Sequence, residues 1–445
     1  MKNMKKLTCQ ILAACALTTG IMLVNGGLAY AGTQEASNKE VISDPDVLYD
    51  NANPIYGGNV ELAKDEPGNE GTANNNILKI LNSANEFTQS VLAGGNVEIK
   101  YTGTGTAAGN LLTIEDGIED GVFKGALHGG HVEIGKVSSA KAYSANTATA
   151  NGNTLNIKAG EHHGDIAGGY VDTKGGTAQA NNNILKITGG EFISYNNVHI
   201  SGGWARSIEG SSCVAQANGN KVEISDITME VRFSPAVKGS DGKYKGDGFL
   251  SRSIYGGYAT SYTGGTATAN ENKLTISGAL TNIVLMPHAT INYPDKGYSE
   301  SVIYAGNALN GTTNEANNNT LTIKGGKING YSIAALENKH GTDSSTDYGG
   351  TYFAYIADPN YTVKMDDTTD IGGGLASNGT ANNNKVIISG GTIGNSSSID
   401  GGRINVYGGK AGKLVKGNEV IINQADGTVT ITGDVSGGYS EPGIV

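Results

Sequence analysis

One phrase that recurs along the chain limits the possible folds more than any other feature. A Gly-Gly pair follows a short apolar segment, and after a gap comes Gly-Thr-Ala-x-Ala-Asn-x-Asn leading into Leu-x-Ile. It reads Ile254-Tyr255-Gly256-Gly257, then Gly265-Thr266-Ala267-Thr268-Ala269-Asn270-Glu271-Asn272-Lys273-Leu274-Thr275-Ile276. It reads again as Ile166-Ala167-Gly168-Gly169, then Gly176 through Ile187. The Gly-Gly pair recurs from Gly57-Gly58 to Gly437-Gly438, and the Asn element ends at Asn76, Asn110, Asn153, Asn183, Asn220, Asn272, Asn319, Asn384 and Asn418. The shorter gaps run from 30 residues and the longest reaches 65. Supersecondary units in fixed phase stack in one dimension instead of closing around one core.

Composition agrees. Glycine supplies 68 of 445 residues while aromatics are only 6%, so no large aromatic core is available. Gly, Asn and Thr are poor helix formers. Each unit reads as three short strands: Leu-x-Ile, as in Leu321-Thr322-Ile323; a second segment after a Gly-Gly turn, as in Lys327-Ile328 after Gly325-Gly326; and the Ile-Tyr-Gly-Gly-Tyr segment. Gly supplies positive φ at the corners, and Asn tolerates the same region. Asn at one corner of every unit predicts a ladder of amides, with Asn183 and Asn384 bonded to neighbouring coils. The fold class is all-β: a parallel β-helix over residues 55–445, with loop insertions at about 230–251, 281–300 and 330–370.

The N-terminus has the pattern of a targeting segment. Lys2, Lys5 and Lys6 precede a mostly apolar run from Leu7 to Val24, and Ala29-Tyr30-Ala31 fits a cleavage site. Residues 1–31 therefore read as a signal peptide and 32–54 as a polar lead or N-terminal cap. Leu12-Ala13-Ala14-Cys15 offers an alternative lipoprotein signal. Cleavage after Ala31 leaves Cys213 as the sole cysteine, so no internal disulfide is expected. It also leaves 28 basic against 42 acidic residues. No basic block points to nucleic acid, and the acidity suits an exported, solvated surface.

Motifs for chemistry are sparse. Asp366-Asp367 and Arg403-Ile404-Asn405 are faint counterparts of polygalacturonase motifs, whose Asn-Thr-Asp and Gly-His-Gly elements are missing. The acids read as scattered, with none at a fixed place in successive units. His128-Gly129-Gly130-His131 and Glu161-His162-His163 lie about one unit apart but at different places in it, and read as surface histidines. Gly408-Gly409-Lys410-Ala411-Gly412-Lys413 lacks the first Gly and the Ser or Thr of a phosphate loop. No catalytic residue, cofactor or metal is expected. Tyr56, Tyr170, Tyr255, Tyr258, Tyr407 and Tyr439, with Trp204, flank the Gly-Gly pairs and read as a structural ladder. The candidate binding loop is the longest insertion, with Tyr348, Tyr352, Phe353, Tyr355 and Tyr361.

With its cleavable signal, scarce cysteine and repeated Gly-Gly plus Gly-Thr-Ala-x-Ala-Asn-x-Asn units, including the shortened Gly379-Thr380-Ala381-Asn382-Asn383-Asn384, the chain resembles the passenger region of bacterial autotransporter adhesins over about residues 55–440. The resemblance implies a right-handed β-helix, secreted or held on the cell surface or outer membrane of a Gram-negative-type bacterium. It implies adhesion, autoaggregation or matrix interaction. The expected partners are host surface glycans or proteins, or identical chains on neighbouring cells, with an outer-membrane translocator for export. The family carries a C-terminal barrel, whereas Val435-Ser436-Gly437-Gly438-Tyr439 begins a fresh unit; a truncated sequence or a separate export protein would account for this. A carbohydrate-active β-helix enzyme, lyase or hydrolase, is the alternative.

Overall fold

The computed structural model describes residues 33–440, except 44–48, 51–53, 64–68, 82–85, 117–120, 136–145, 194–197, 210–211, 231, 235–236, 239–243, 246–247, 251, 263, 287–288, 293–296, 300, 331–361, 366–367 and 395–402. The signal segment lies outside this range. The described chain winds as a right-handed parallel β-helix with four strands per coil. One coil runs Thr177–Gln179, Ile184–Ile187, Glu191–Ile193 and Val198–Ile208. The next runs Val214–Gln216, Lys221–Ser225, Thr228–Glu230 and Arg252–Ser261. Equivalent strands stack into four parallel sheets, three of ten strands and one of nine. They are named here the Thr-Ala, Leu-Ile, short-strand and Gly-Gly sheets, in chain order.

The four-strand coil corrects the three-strand reading of the sequence. The Thr-Ala-x segment, absent from that reading, is a strand whose alanines point inward. The stack also starts early, because Thr33–Glu35 and Glu40–Ile42 in the polar lead pair with Asn69–Thr72 and Ile77–Ile80.

Register repeats without slippage. Leu155, Leu185, Val222, Leu274, Leu321 and Val386 face one another in consecutive coils. All are fully buried. Burial of each such side chain contributes about 1.5–3 kcal/mol, available only once a neighbouring coil covers it. The interior has two lobes. Leu, Ile and Phe from the Leu-Ile sheet, the short-strand sheet and the first half of each Gly-Gly strand fill the wide lobe. Alanines of the Thr-Ala sheet, against Val, Ile and Ala from the second half of each Gly-Gly strand, fill the thin one. The short-strand sheet adds a stack of rings, Tyr49, Phe87, Phe123, His162 and Phe192, with centroids 4.7–5.8 Å apart.

Between the lobes stands the expected asparagine ladder. The Asn183 backbone N–H and Nδ2 donate to Asn220 Oδ1 at 2.9 and 3.1 Å, while Asn183 Oδ1 accepts from Asn153 at 2.9 and 3.1 Å. The pattern holds from Asn76 to Asn418. A second row, two residues earlier, runs in the opposite sense: Asn218 N–H donates back to Asn181 Oδ1 at 2.8 Å, and Asn270 N–H to Asn218 Oδ1 at 2.8 Å. The residue between the rows is left-handed, which explains its restriction to Asn or Gly at nearly every coil; Asn182 has φ 57° and Gly219 has φ 66°.

The insertions leave from one edge, the corner between the short-strand and Gly-Gly sheets. In one, Arg232–Ser234 pairs antiparallel with Gly248–Leu250. The next two combine: Ala289–Asn292 pairs antiparallel with Gly297–Ser299 and with Thr362–Met365 from the following coil. The second insertion starts later than expected, since Asn282–Leu285 is a regular strand of the short-strand sheet.

Candidate functional site

The Gly-Gly sheet carries the densest polar chemistry among the described residues, and its local geometry explains why. In strand Ala126–Ile134, Leu127 and Val132 enter the two lobes of the core. Strict alternation would put an odd number of residues between them. The four residues 128–131 fit because both glycines face the interior and the flanking His128 and His131 both face outward. Their ring planes lie nearly parallel over the glycine pair, with centroids 5.0 Å apart. Tyr255 and Tyr258 do the same at 4.8 Å.

Register turns these i and i+3 positions into two columns. One holds Tyr56, Ala93, His128, Ala167, Ser201, Tyr255 and Tyr304; the other holds Asn59, Asn96, His131, Tyr170, Trp204, Tyr258 and Asn307. Where the first column is small, at Ala167 and Ser201, the second is large, at Tyr170 and Trp204. Tyr170 stacks on His128 at 4.5 Å, and Trp204 meets Tyr258 edge-on at 5.4 Å. These contacts fit the structural-ladder reading for Tyr170, Trp204, Tyr255 and Tyr258. Towards the C-terminal coils the seam carries a cation: Lys410 binds Asp370 at 2.7 Å and lies 5.5 Å from the centre of the Tyr439 ring.

Beside the second column lies a third, and it overturns the reading of scattered acids. Glu61, Glu98, Glu133 and Asp172 occupy one register position in four consecutive coils. Arg206 follows in the next coil and binds Asp172 at 3.2 Å. The signal was present in the sequence as Gly-Gly-Asn-Val-Glu at 57–61 and 94–98, Gly-Gly-His-Val-Glu at 129–133 and Gly-Gly-Tyr-Val-Asp at 168–172. Burial raises the Asp172 carboxyl, and Arg206 draws it back down. Burial also raises the Tyr170 hydroxyl well above its ordinary value, with Asp172 and Glu133 adding to the effect.

The histidines are not surface residues. His128, His131 and His162 are each at most 3% exposed. Burial pushes His128 well below the ordinary imidazole value, His162 to about 3 and His199 to about 4. The two histidine pairs do occupy different sheets, as their spacing indicated. His131 Nε2 makes no hydrogen bond and lies 3.7 Å from Glu133 Oε2.

Arg252 is also buried, at the corner where the insertions leave. It donates to the carbonyls of His162, Gly164 and Ile193 at 3.1–3.3 Å. Burial lowers its guanidinium to about 10, against the pull of Asp165. A cleft of about 790 Å³ lies further along the seam, bordered by Trp204, Arg206, Tyr258, Tyr262 and Lys413. Tyr348, Tyr352, Phe353, Tyr355 and Tyr361, and also Asp366 and Asp367, lie outside the described residues.

No protein-family model, curated protein or solved structure gives a significant match to the chain.

Proposed function

We propose that this chain is an exported, non-catalytic β-solenoid of the cell surface that acts in adhesion, autoaggregation or matrix interaction. The supporting observation is the common exit of the insertions. Long segments leave three successive coils at one corner, and two of them share an antiparallel sheet. Repeated coils offer the same flat face many times, whereas recognition needs distinct surfaces on a rigid support. The partners proposed are host surface glycans or proteins, or identical chains on neighbouring cells. Deleting residues 338–361 leaves strand Thr362–Met365 in place and removes all five candidate aromatics. The expected result is a folded rod with reduced attachment to host cells or to bacteria of the same strain. Unchanged attachment by the folded variant removes this loop from the reading.

One observation favours the alternative of a carbohydrate-active enzyme. Carboxylates do recur across neighbouring coils at Glu98, Glu133 and Asp172, and glycoside cleavage uses paired carboxyl groups. A panel of polysaccharides assayed for new reducing ends or unsaturated products decides between the two readings. Activity lost in Glu133→Gln would support the enzyme.

A further inference from the structure

We propose that Glu98, His131 and Glu133 form a binding site for one divalent transition-metal ion, with zinc as the best fit. Three features of the Gly-Gly sheet converge there. First, register places Glu98 and Glu133 side by side on adjacent coils, and His131 lies two residues before Glu133 on the same face of its strand. One ligand atom from each residue lies within 4.8 Å of the others. Second, His131 is 3% exposed, yet its Nε2 has no hydrogen-bond partner and faces Glu133 Oε2 at 3.7 Å. That separation is too long for a hydrogen bond. It is close to what two donors span when both bind one ion at about 2.0–2.2 Å.

The third feature is the state of the imidazole. His131 Nδ1 and His128 Nδ1 are 2.8 Å apart, so a single proton lies between them. When His131 donates it, the lone pair is on Nε2, the nitrogen 3.7 Å from Glu133 Oε2. Metal-binding histidines commonly donate their second ring N–H to an acceptor that fixes tautomer and ring orientation. His128 fills that role, with its ring held against that of Tyr170 at 4.5 Å.

One imidazole and two carboxylates suit zinc and its neighbours better than calcium, which prefers six to eight oxygens. Three protein ligands leave a fourth position open to water or to an oxygen of a partner.

The test uses the full chain, stripped of metal by chelation and titrated with zinc alone and calcium alone by calorimetry. Cobalt then serves as a spectroscopic probe of coordination. One equivalent of zinc should bind, more tightly than calcium. Cobalt should give the strong visible bands of a four-coordinate site. Glu133→Gln and Glu98→Gln keep side-chain shape, and each should weaken zinc binding by about tenfold or more. Nitrogen NMR of the imidazoles should show His131 Nε2, and not the rings of His162 or His163, shifting on metal addition. This readout holds even if His131→Ala fails to fold. The proposal is overturned if the folded parent binds no zinc, or if both Gln variants bind it with unchanged affinity.

Discussion

Gly257 lies so close to Asn272 that a methyl group on the glycine would stand 2.5 Å from the Asn272 Oδ1 atom. These residues belong to the two halves of the repeated phrase. The Gly-Gly pair and the Asn element meet across the waist of the coil, and each requires the other. Asn272 cannot swing away, because it is bonded to Asn220 on one side and Asn319 on the other. Gly257→Ala should therefore cost about 3 kcal/mol by overpacking and a displaced rung. Urea denaturation followed by circular dichroism measures it. A loss below about 0.5 kcal/mol would mean that the waist gives way easily.

The ladder itself is tested by Asn183→Ala. Asn153 would lose the acceptor for both its backbone N–H and its Nδ2, in a place without exposure to water. A cost of about 1–3 kcal/mol is expected. Asn181→Ala in the half-exposed outer row should cost less, because solvent reaches the freed N–H of Asn218. Equal losses from the two variants would contradict the assignment of the inner row as the stronger one.

Glu271 is the exception at the left-handed corner, with φ 60° where other coils place Asn or Gly. A side chain with a full Cβ is strained there by about 1–2 kcal/mol, partly offset by the entropy glycine loses on folding. Glu271→Gly is expected to raise stability by about 0.5–1 kcal/mol, seen as a higher denaturation midpoint. A lower midpoint would assign Glu271 a contact worth more than the strain.

His162 replaces a phenylalanine in the ring stack, between Phe123 and Phe192. Its folded pKa is about 3 against an ordinary 6.5, lowered first by burial. Above about pH 6.5 neither folded nor unfolded chain protonates it. Below that, the unfolded chain takes up a proton that the folded one refuses, so stability falls as pH drops towards about 3. His199, at about 4, adds in the same direction, while Asp165, raised by burial, opposes it at lower pH. His162→Phe should reduce the slope of stability between pH 6 and 4 by about 1.4 kcal/mol per unit. It also removes the 3.0 Å hydrogen bond to the Ala159 carbonyl, about 1 kcal/mol at neutral pH. An unchanged acid slope, measured by urea titrations across this range, would refute the linkage.

The stacking and the asparagine ladder were legible because Asn and Leu-x-Ile keep a local phase that any unit reveals. The fourth strand was not, because Thr177-Ala178-Gln179 holds only small and polar residues. Its alanines fit because the lobe they fill is thin, a property of the opposite wall. The acid column at Glu98 and Glu133 was missed for another reason. Adjacency there is set by the third residue after each Gly-Gly pair, and becomes visible only when units are aligned on that pair. The paired outward positions, His128 and His131, needed the break in alternation that the glycines impose. Arg252 gave no sequence signal, since its partners are carbonyls from two earlier coils.

The inner ladder also bears on how the rod meets a mechanical load. Its hydrogen bonds run along the axis, joining each coil to the next by a single rung. Pulled along that axis, the rungs share one tension in series, and the weakest sets the yield force regardless of how many others follow. Length then adds reach without adding strength. Resistance to tearing depends on the two asparagine rows and the strand pairs of one coil, so a single defective corner would limit the whole rod.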